Sequence, residues 1–165
     1  MCSPPAGVLA LPTSTIQLLE RPAHPIAVIR HQVAAAALSR VVPESCGAVW
    51  RVLTSQGFRG GRNLALYWDD TIRLEAGVEC ADAFAEQDGV VRSMLPSGLV
   101  ATATHAGPYG TLGATHDAMR RWLQGNGYRA LGPRWELYGH WQSEWDSDPS
   151  RILTEVCYLV APTIP

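Results

Sequence analysis

A single acid, Glu155, stands inside the run 151–160, Arg-Ile-Leu-Thr-Glu-Val-Cys-Tyr-Leu-Val. The run reads as a strand that is apolar on both sides. Ile152, Val156, Tyr158 and Val160 point one way, while Leu153, Cys157 and Leu159 share the other side with Glu155. A strand of that kind belongs in the middle of a sheet covered on both faces. A carboxylate there is costly unless something meets its charge. Two chemistries follow. A cationic ligand can neutralise it, with burial raising the carboxyl pKa in the empty site and the bound cation lowering it again. Alternatively, an arginine such as Arg134 or Arg73 reaches it in a structural ion pair.

Other reactive side chains form weaker patterns. His105, His116 and His140 fall on three different elements, and no metal-binding or serine-nucleophile motif accompanies them. His105 reads as fixing the turn before Gly107-Pro108. Ser93 and Ser97 lack a nucleophile elbow. All thirteen basic residues are arginine, so lysine Schiff-base chemistry and a lysine-dependent phosphate loop are excluded. Cys2, Cys46, Cys80 and Cys157 are spaced for neither a zinc knuckle nor a redox pair, and free thiols in a reducing compartment are expected. No cofactor motif is present.

The 165 residues carry a net charge of −2 and are 47% hydrophobic and 17% charged. That suits a globular domain and gives no basic surface for nucleic acid. Residues 1–13 read as a loose tail, without the basic start of a secretory signal. No apolar stretch reaches the length of a membrane span. A cytoplasmic protein is expected.

These side chains must be positioned by a repeated order of elements. In repeat one, about 14–80, a strand over 15–20 is interrupted by Pro22 and Pro25 and resumes over 26–31. A helix opens at Pro43 and runs through Cys46, Val49, Trp50 and Leu53 at helical spacing, to end at Gly57. Strands over 63–68 and 72–79 follow, with Asp69-Asp70 as the turn between them; the second strand alternates as if half-solvated. In repeat two, about 90–161, the strand over 99–105 breaks at 105–109. It gives way to a helix whose face is Leu112, Thr115, Met119, Trp122 and Leu123, and then to strands over 134–142 and 151–160, with a turn over 145–149. Two strand-helix-strand-strand units in one domain over 14–163 predict an α+β fold. The sheet is expected to be antiparallel, with both helices on one face and the other face left open. Trp50 and Trp122 read as core packing. Tyr67, Trp68, Trp135, Tyr138, Trp141 and Tyr158 would form an apolar patch if exposed together.

The ordered set His105-Ala106-Gly107-Pro108-Tyr109, Leu112, Trp122-Leu123, Gly127, Gly132-Pro133, Tyr138, Asp148-Pro149 and Thr154-Glu155-Val156 resembles the GyrI-like small-molecule-binding domain. In that family the domain serves as the effector domain of AraC- and MerR-type multidrug regulators, and it also occurs free-standing. The likeness is strongest over 98–161; in the first half it rests on Leu64-Ala65-Leu66-Tyr67 and Asp69. It implies tandem repeats about a pseudo-twofold axis and a ligand cleft between the halves. It also implies that a glutamate on the last strand, here Glu155, meets an aromatic cation. Tyr67, Tyr109 and Tyr138 are its best-matching stacking residues, with Trp68 and Trp141 as further candidates and Leu153 and Cys157 beside Glu155. Strand parity separates Tyr138 from Trp141 and favours Tyr138. With only a short tail ahead of the domain, the chain resembles a free-standing member.

Three functions fit these residues. The first is capture of aromatic, cationic or amphipathic small molecules. The second, implied by some free-standing relatives, is hydrolysis of strained electrophiles such as cyclopropane-bearing toxins, with Glu155 activating water and Tyr138 polarising the substrate. The third is binding of a protein such as gyrase. A homodimer, and no direct contact with nucleic acid or membrane, complete the expectations.

Overall fold

The computed structural model describes residues 15–69 and 73–164. The expected tail over 1–13, Cys2, and the Asp70 half of the expected turn lie outside the described residues. Eight strands form one antiparallel sheet: β1 (Gln17–Arg21), β2 (His24–Gln32), β3 (Asn63–Tyr67), β4 (Arg73–Glu79), β5 (Val91–Leu95), β6 (Gly98–Ala106), β7 (Tyr128–Tyr138) and β8 (Leu153–Pro162). Helix α1 (Leu38–Ser55) follows β2, α2 (Leu112–Gly125) follows β6, and the single turn α3 (Glu144–Ser147) precedes β8. The expected α+β fold, with two repeats and both helices on one face, is observed.

The spatial order β1-β6-β8-β7-β3-β4-β2-β5 is symmetric about the β7–β3 pair. Each repeat contributes three adjacent strands and lends its leading strand to the other repeat: β1 pairs with β6, and β5 with β2. That exchange dictates the shape of the sheet. β1 and β2 stand six positions apart, ~29 Å in a flat sheet. Yet only Pro22 and Ala23 connect them, a link that spans ~11 Å. Pro96 and Ser97 impose the same constraint on β5 and β6. The sheet must therefore roll, bringing its two ends together.

The rolled face encloses a core of its own. Ile26, Val28, Leu64, Leu66, Leu95, Val100, Trp135, Leu137 and Cys157 form one buried cluster drawn from six strands. The face opposite the helices is thus the inside of the roll. Each large aliphatic side chain buried there contributes about 1.5–3 kcal/mol. The outer face carries the helices. Val49, Val52 and Leu53 of α1 pack on Ala27 and Val78; Leu112, Met119 and Leu123 of α2 pack on Ala101, Ala103, Val156, Tyr158 and Val160.

Several boundaries differ from the expectations. α1 begins five residues before Pro43, which stands inside the helix. β5, unexpected from the sequence, supplies an edge. Residues 74–78 of β4 are all buried, including Glu75 at 4% exposure, so this strand is not half-solvated. Both of its faces are covered, by α1 outside and the roll inside. At Gly77 a Cβ would lie 1.9 Å from the Ala27 carbonyl oxygen, so only glycine admits this approach of β2. The expected strand over 134–142 instead starts at Tyr128 and ends at Tyr138, with a bulge between Ala130 and Arg134. The expected turn over 145–149 overlaps α3, whose Trp145 is buried. Among the described residues no helix is long and apolar enough to cross a membrane.

Candidate functional site

Glu155 lies inside the roll, at one end, and its charge is met by protein. Arg21 of β1 pairs with Oε1; Arg62, just before β3, donates to Oε2 at 3.0 Å; the Thr102 hydroxyl donates to Oε1 at 2.9 Å. Arg62 also binds Glu79 through its backbone N–H at 2.8 Å and its guanidinium at 3.1 Å. Burial alone would raise the Glu155 carboxyl. The hydrogen bonds from Thr102 and Arg62 and the charge of Arg21 outweigh it, so the pKa falls below the ordinary value. Glu79 behaves alike: burial raises its carboxyl, Arg62 lowers it further, and the net direction is down. This network ties both repeats together across the roll. It corrects the expected partners: Arg73 pairs with Asp69 at 2.8 Å, and Arg134 lies over the Tyr67 ring, 5.1 Å from its centre. A recess of about 320 Å³ beside Glu155 is lined by Gln17, Leu19, Arg21 and Thr102.

A larger cavity, about 780 Å³, opens on the outer face between α1 and α2. On the face away from the helices, which the roll largely fills with core, the expected cleft is reduced to the recess beside Glu155. The sheet floor of the larger cavity is built at the centre of the pseudo-twofold, where Ala65 of β3 faces Glu136 of β7. Alternation along β7 places Trp135 and Leu137 in the roll and Glu136 and Tyr138 under the helices. Val42, Cys46 and Trp50 of α1 form one wall and Leu112 and His116 of α2 the other; Tyr109, His140 and Trp141 stand at the margins.

Glu136 is the carboxylate of this cavity and is only 6% exposed. Tyr138 donates its hydroxyl to Oε2 at 2.5 Å, and His116 Nε2 lies 2.7 Å from Oε1. The other ring nitrogen of His116 is 2.7 Å from the Tyr158 hydroxyl. Among the described residues, no arginine lines the cavity. Burial, then the nearby charge of Glu136, pushes the Tyr138 phenol well above its usual range; burial and Glu136 likewise raise Tyr67, against smaller lowering by Arg134 and Tyr138. Both phenols therefore stay protonated and can donate. Tyr109 meets Tyr138 edge-on at 5.5 Å, and Trp141 meets Trp145 edge-on at 5.4 Å. The Trp50 indole N–H donates to Asn63 at 2.7 Å, which turns its ring along the cavity wall.

Of the residues expected at the site, the structure brings Tyr67, Tyr109, Tyr138 and Trp141 together at the larger cavity. Tyr138 and Trp141 both reach it because β7 ends at Tyr138, so strand parity no longer separates them. Glu155 and Cys157 lie inside the roll and Trp68 packs against its core, while Leu153 is 48% exposed. Trp50, expected only to pack, lines the cavity. The sequence reading does not place Glu136 or His116 at the site. A signal for Glu136 existed: it lies two residues before Tyr138 and so shares its face. His105 holds the turn as expected, through contacts at 3.0 Å with Thr111 and 3.3 Å with the Pro108 carbonyl. Among the described residues no cluster of His, Cys, Asp or Glu can hold a metal ion.

A family profile for the GyrI-like small molecule binding domain matches residues 14–160. The chain belongs to this family. Among solved structures, the EcmrR C-terminal domain shares the GyrI-like fold at a TM-score of 0.72 and 20% identity, over 90% of this chain and 98% of that one. In the EcmrR–DNA complex the match reaches a TM-score of 0.75 at 19% identity over 93% of this chain, which spans 60% of the length of that protein. A hydrolase from Listeria innocua matches at a TM-score of 0.61 and 12% identity, over 92% of this chain and 94% of its own. SAV2435 bound to tetraphenylphosphonium matches at 0.62 and 13%, over 89% and 94%. No curated protein matches the sequence significantly. This GyrI-like chain thus has a small-molecule-binding domain whose rolled sheet leaves its larger cavity between the helices.

Proposed function

We propose that the cavity between α1 and α2 captures aromatic or amphipathic cations in the cytoplasm, with Glu136 as the counter-charge. One observation carries the reading: a buried carboxylate faces an aromatic-lined cavity whose lining, among the described residues, contains no arginine. Two donors, His116 and Tyr138, orient that carboxylate. Much of the cost of desolvating it is met during folding, so an entering cation gains the attraction without that full cost. Tyr67, Tyr109, Tyr138, Trp50 and Trp141 supply ring faces and edges, and each good cation–π contact adds about 0.5–2 kcal/mol. The tetraphenylphosphonium complex of SAV2435 supports the same ligand class. Glu155 contributes to stability, since its charge is already met.

The test compares two ligands of similar shape, cationic methyltriphenylphosphonium and neutral triphenylphosphine oxide, by thermal shift. A ligand at one hundred times its dissociation constant adds about 2.7 kcal/mol to the folded state. A shift with the cation that exceeds the neutral shift supports the reading; equal shifts, or none, overturn it.

A second reading, hydrolysis of a strained electrophile, is favoured by the His116–Glu136 contact at 2.7 Å. A carboxylate held by an imidazole can activate water once the Tyr138 hydroxyl turns away from it to donate to the developing anion. Incubation with a cyclopropane-bearing alkylator tests it: ring-opened water adduct above the Glu136→Gln background supports hydrolysis, and none removes it.

A further inference from the structure

We propose that capture in this cavity exchanges a cation for a proton, with His116 holding the proton; the inference rests on Glu136 being the counter-charge. His116 projects from α2 and is 9% exposed. Its two ring nitrogens are engaged at 2.7 Å, one by Glu136 and one by Tyr158. The groups facing it are Glu136 and Tyr138 from β7 and Tyr158 from β8. The same cavity is lined by Cys46 from α1, Tyr67 from β3, Tyr109 and His140. Arg134, on the Glu136 side of β7, lies over Tyr67.

Hydrogen counting gives this network two states, which differ in the proton on His116 and in the direction of the Tyr158 hydroxyl. With His116 neutral, Nε2–H donates to Glu136, the Tyr158 hydroxyl donates to Nδ1, and Tyr138 donates to the second carboxylate oxygen. The His–Glu pair then carries one negative charge. With His116 protonated, both ring nitrogens donate, the Tyr158 oxygen accepts, and the pair is neutral. Neither state requires heavy atoms to move. A permanent cation is attracted by the first and gains no net charge pairing from the second.

Binding to the protonated form therefore proceeds as imidazolium–carboxylate plus cation giving imidazole–carboxylate–cation plus a released proton. Charge and protons balance, and no bond other than N–H breaks. By linkage, the proton and the cation weaken each other by the same factor. Imidazole is the side chain that ordinarily changes charge between pH 5 and 8. Affinity is highest with His116 neutral and falls as pH drops, up to tenfold per unit once the free protein is protonated there.

The experiment is calorimetric titration of the full chain with methyltriphenylphosphonium, in two buffers of different ionisation enthalpy, at pH 5.5, 6.5 and 8. Expected are proton release that grows from pH 8 to pH 5.5, toward one per cation, and a parallel rise in Kd. His116→Gln keeps an amide N–H toward Glu136 and removes the titrating group. It should bind the cation with a Kd flat across this range and no release. Wild type that binds at all three pH values without release, or a glutamine variant with the wild-type pH dependence, overturns the exchange. Should that variant fail to fold, His140→Gln decides: wild-type release from it keeps the proton on His116, and loss of release overturns the assignment. Wild type that does not bind even at pH 8 overturns the counter-charge reading itself, and the exchange with it.

Discussion

Glu136 and Glu155 lie on paired strands one register step apart and point to opposite faces of the sheet. In the β7–β8 ladder Glu136 faces Val156 and Leu137 faces Glu155. Because side chains alternate, Glu136 rises into the cavity under the helices and Glu155 drops into the roll. The first meets His116 and Tyr138, whereas the second meets two arginines and a threonine.

Glu155 is therefore expected to matter for stability. Its side chain is 19% exposed, against 28% for Arg21 and 36% for Arg62. Partial solvation puts Glu155→Gln at a loss of about 1–2 kcal/mol, between the surface and buried limits. The folded pKa values of Glu155 and Glu79 are both depressed. Their stabilisation is thus fully present above the ordinary carboxylate pKa and lost as pH falls through the folded values. Melting curves between pH 7 and 3 should show this decline, with a shallower acid slope in Glu155→Gln. An unchanged slope would contradict the assignment.

The aromatic margins should act on affinity with little effect on folding. Tyr109 is 42% and Trp141 56% exposed. Replacing either by alanine should weaken a bound aromatic cation by about 0.5–2 kcal/mol, roughly two- to thirtyfold. Titration of each variant measures the affinity, and melting without ligand measures the fold. A large melting loss with unchanged affinity would assign these rings to packing.

The fold was legible in the sequence because its signals are local. Helical spacing from Cys46 to Leu53 and from Leu112 to Leu123 marked the two helices, and the repeated order of elements marked the sheet. The roll was not legible, because it follows from the exchange of β1 and β5 between repeats, and strand partners far apart in sequence leave no local trace. Glu155 drew attention because its neighbours are apolar, yet its partners Arg21 and Arg62 lie 134 and 93 residues away. Glu136 escaped notice for the opposite reason: the alternation of Arg134, Glu136 and Tyr138 looks like an ordinary solvated face. Only the helices, set apart above it, turn that face into a cavity.

Two of the three buried thiols, Cys46 and Cys157, should be inert in the folded protein. Burial pushes Cys46 up to about 11, against smaller lowering by backbone hydrogen bonding. Burial, with the charge of Glu155 added, pushes Cys157 up to about 12. The thiolate is the reactive form, so neither should be alkylated by iodoacetamide at pH 8 until the chain unfolds. Peptide mass spectrometry with and without denaturant reads this directly. Rapid native labelling at Cys46 would show that the cavity wall opens.

The most direct measurement is calorimetric titration of methyltriphenylphosphonium at pH 8 into wild type, Glu136→Gln and Glu155→Gln, with circular dichroism confirming that each is folded. Binding should be lost or weakened at least tenfold in Glu136→Gln and stay within about twofold of wild type in Glu155→Gln, tenfold being about 1.4 kcal/mol. Full affinity in Glu136→Gln, with loss in Glu155→Gln, would contradict the account and move the counter-charge to the inside of the roll.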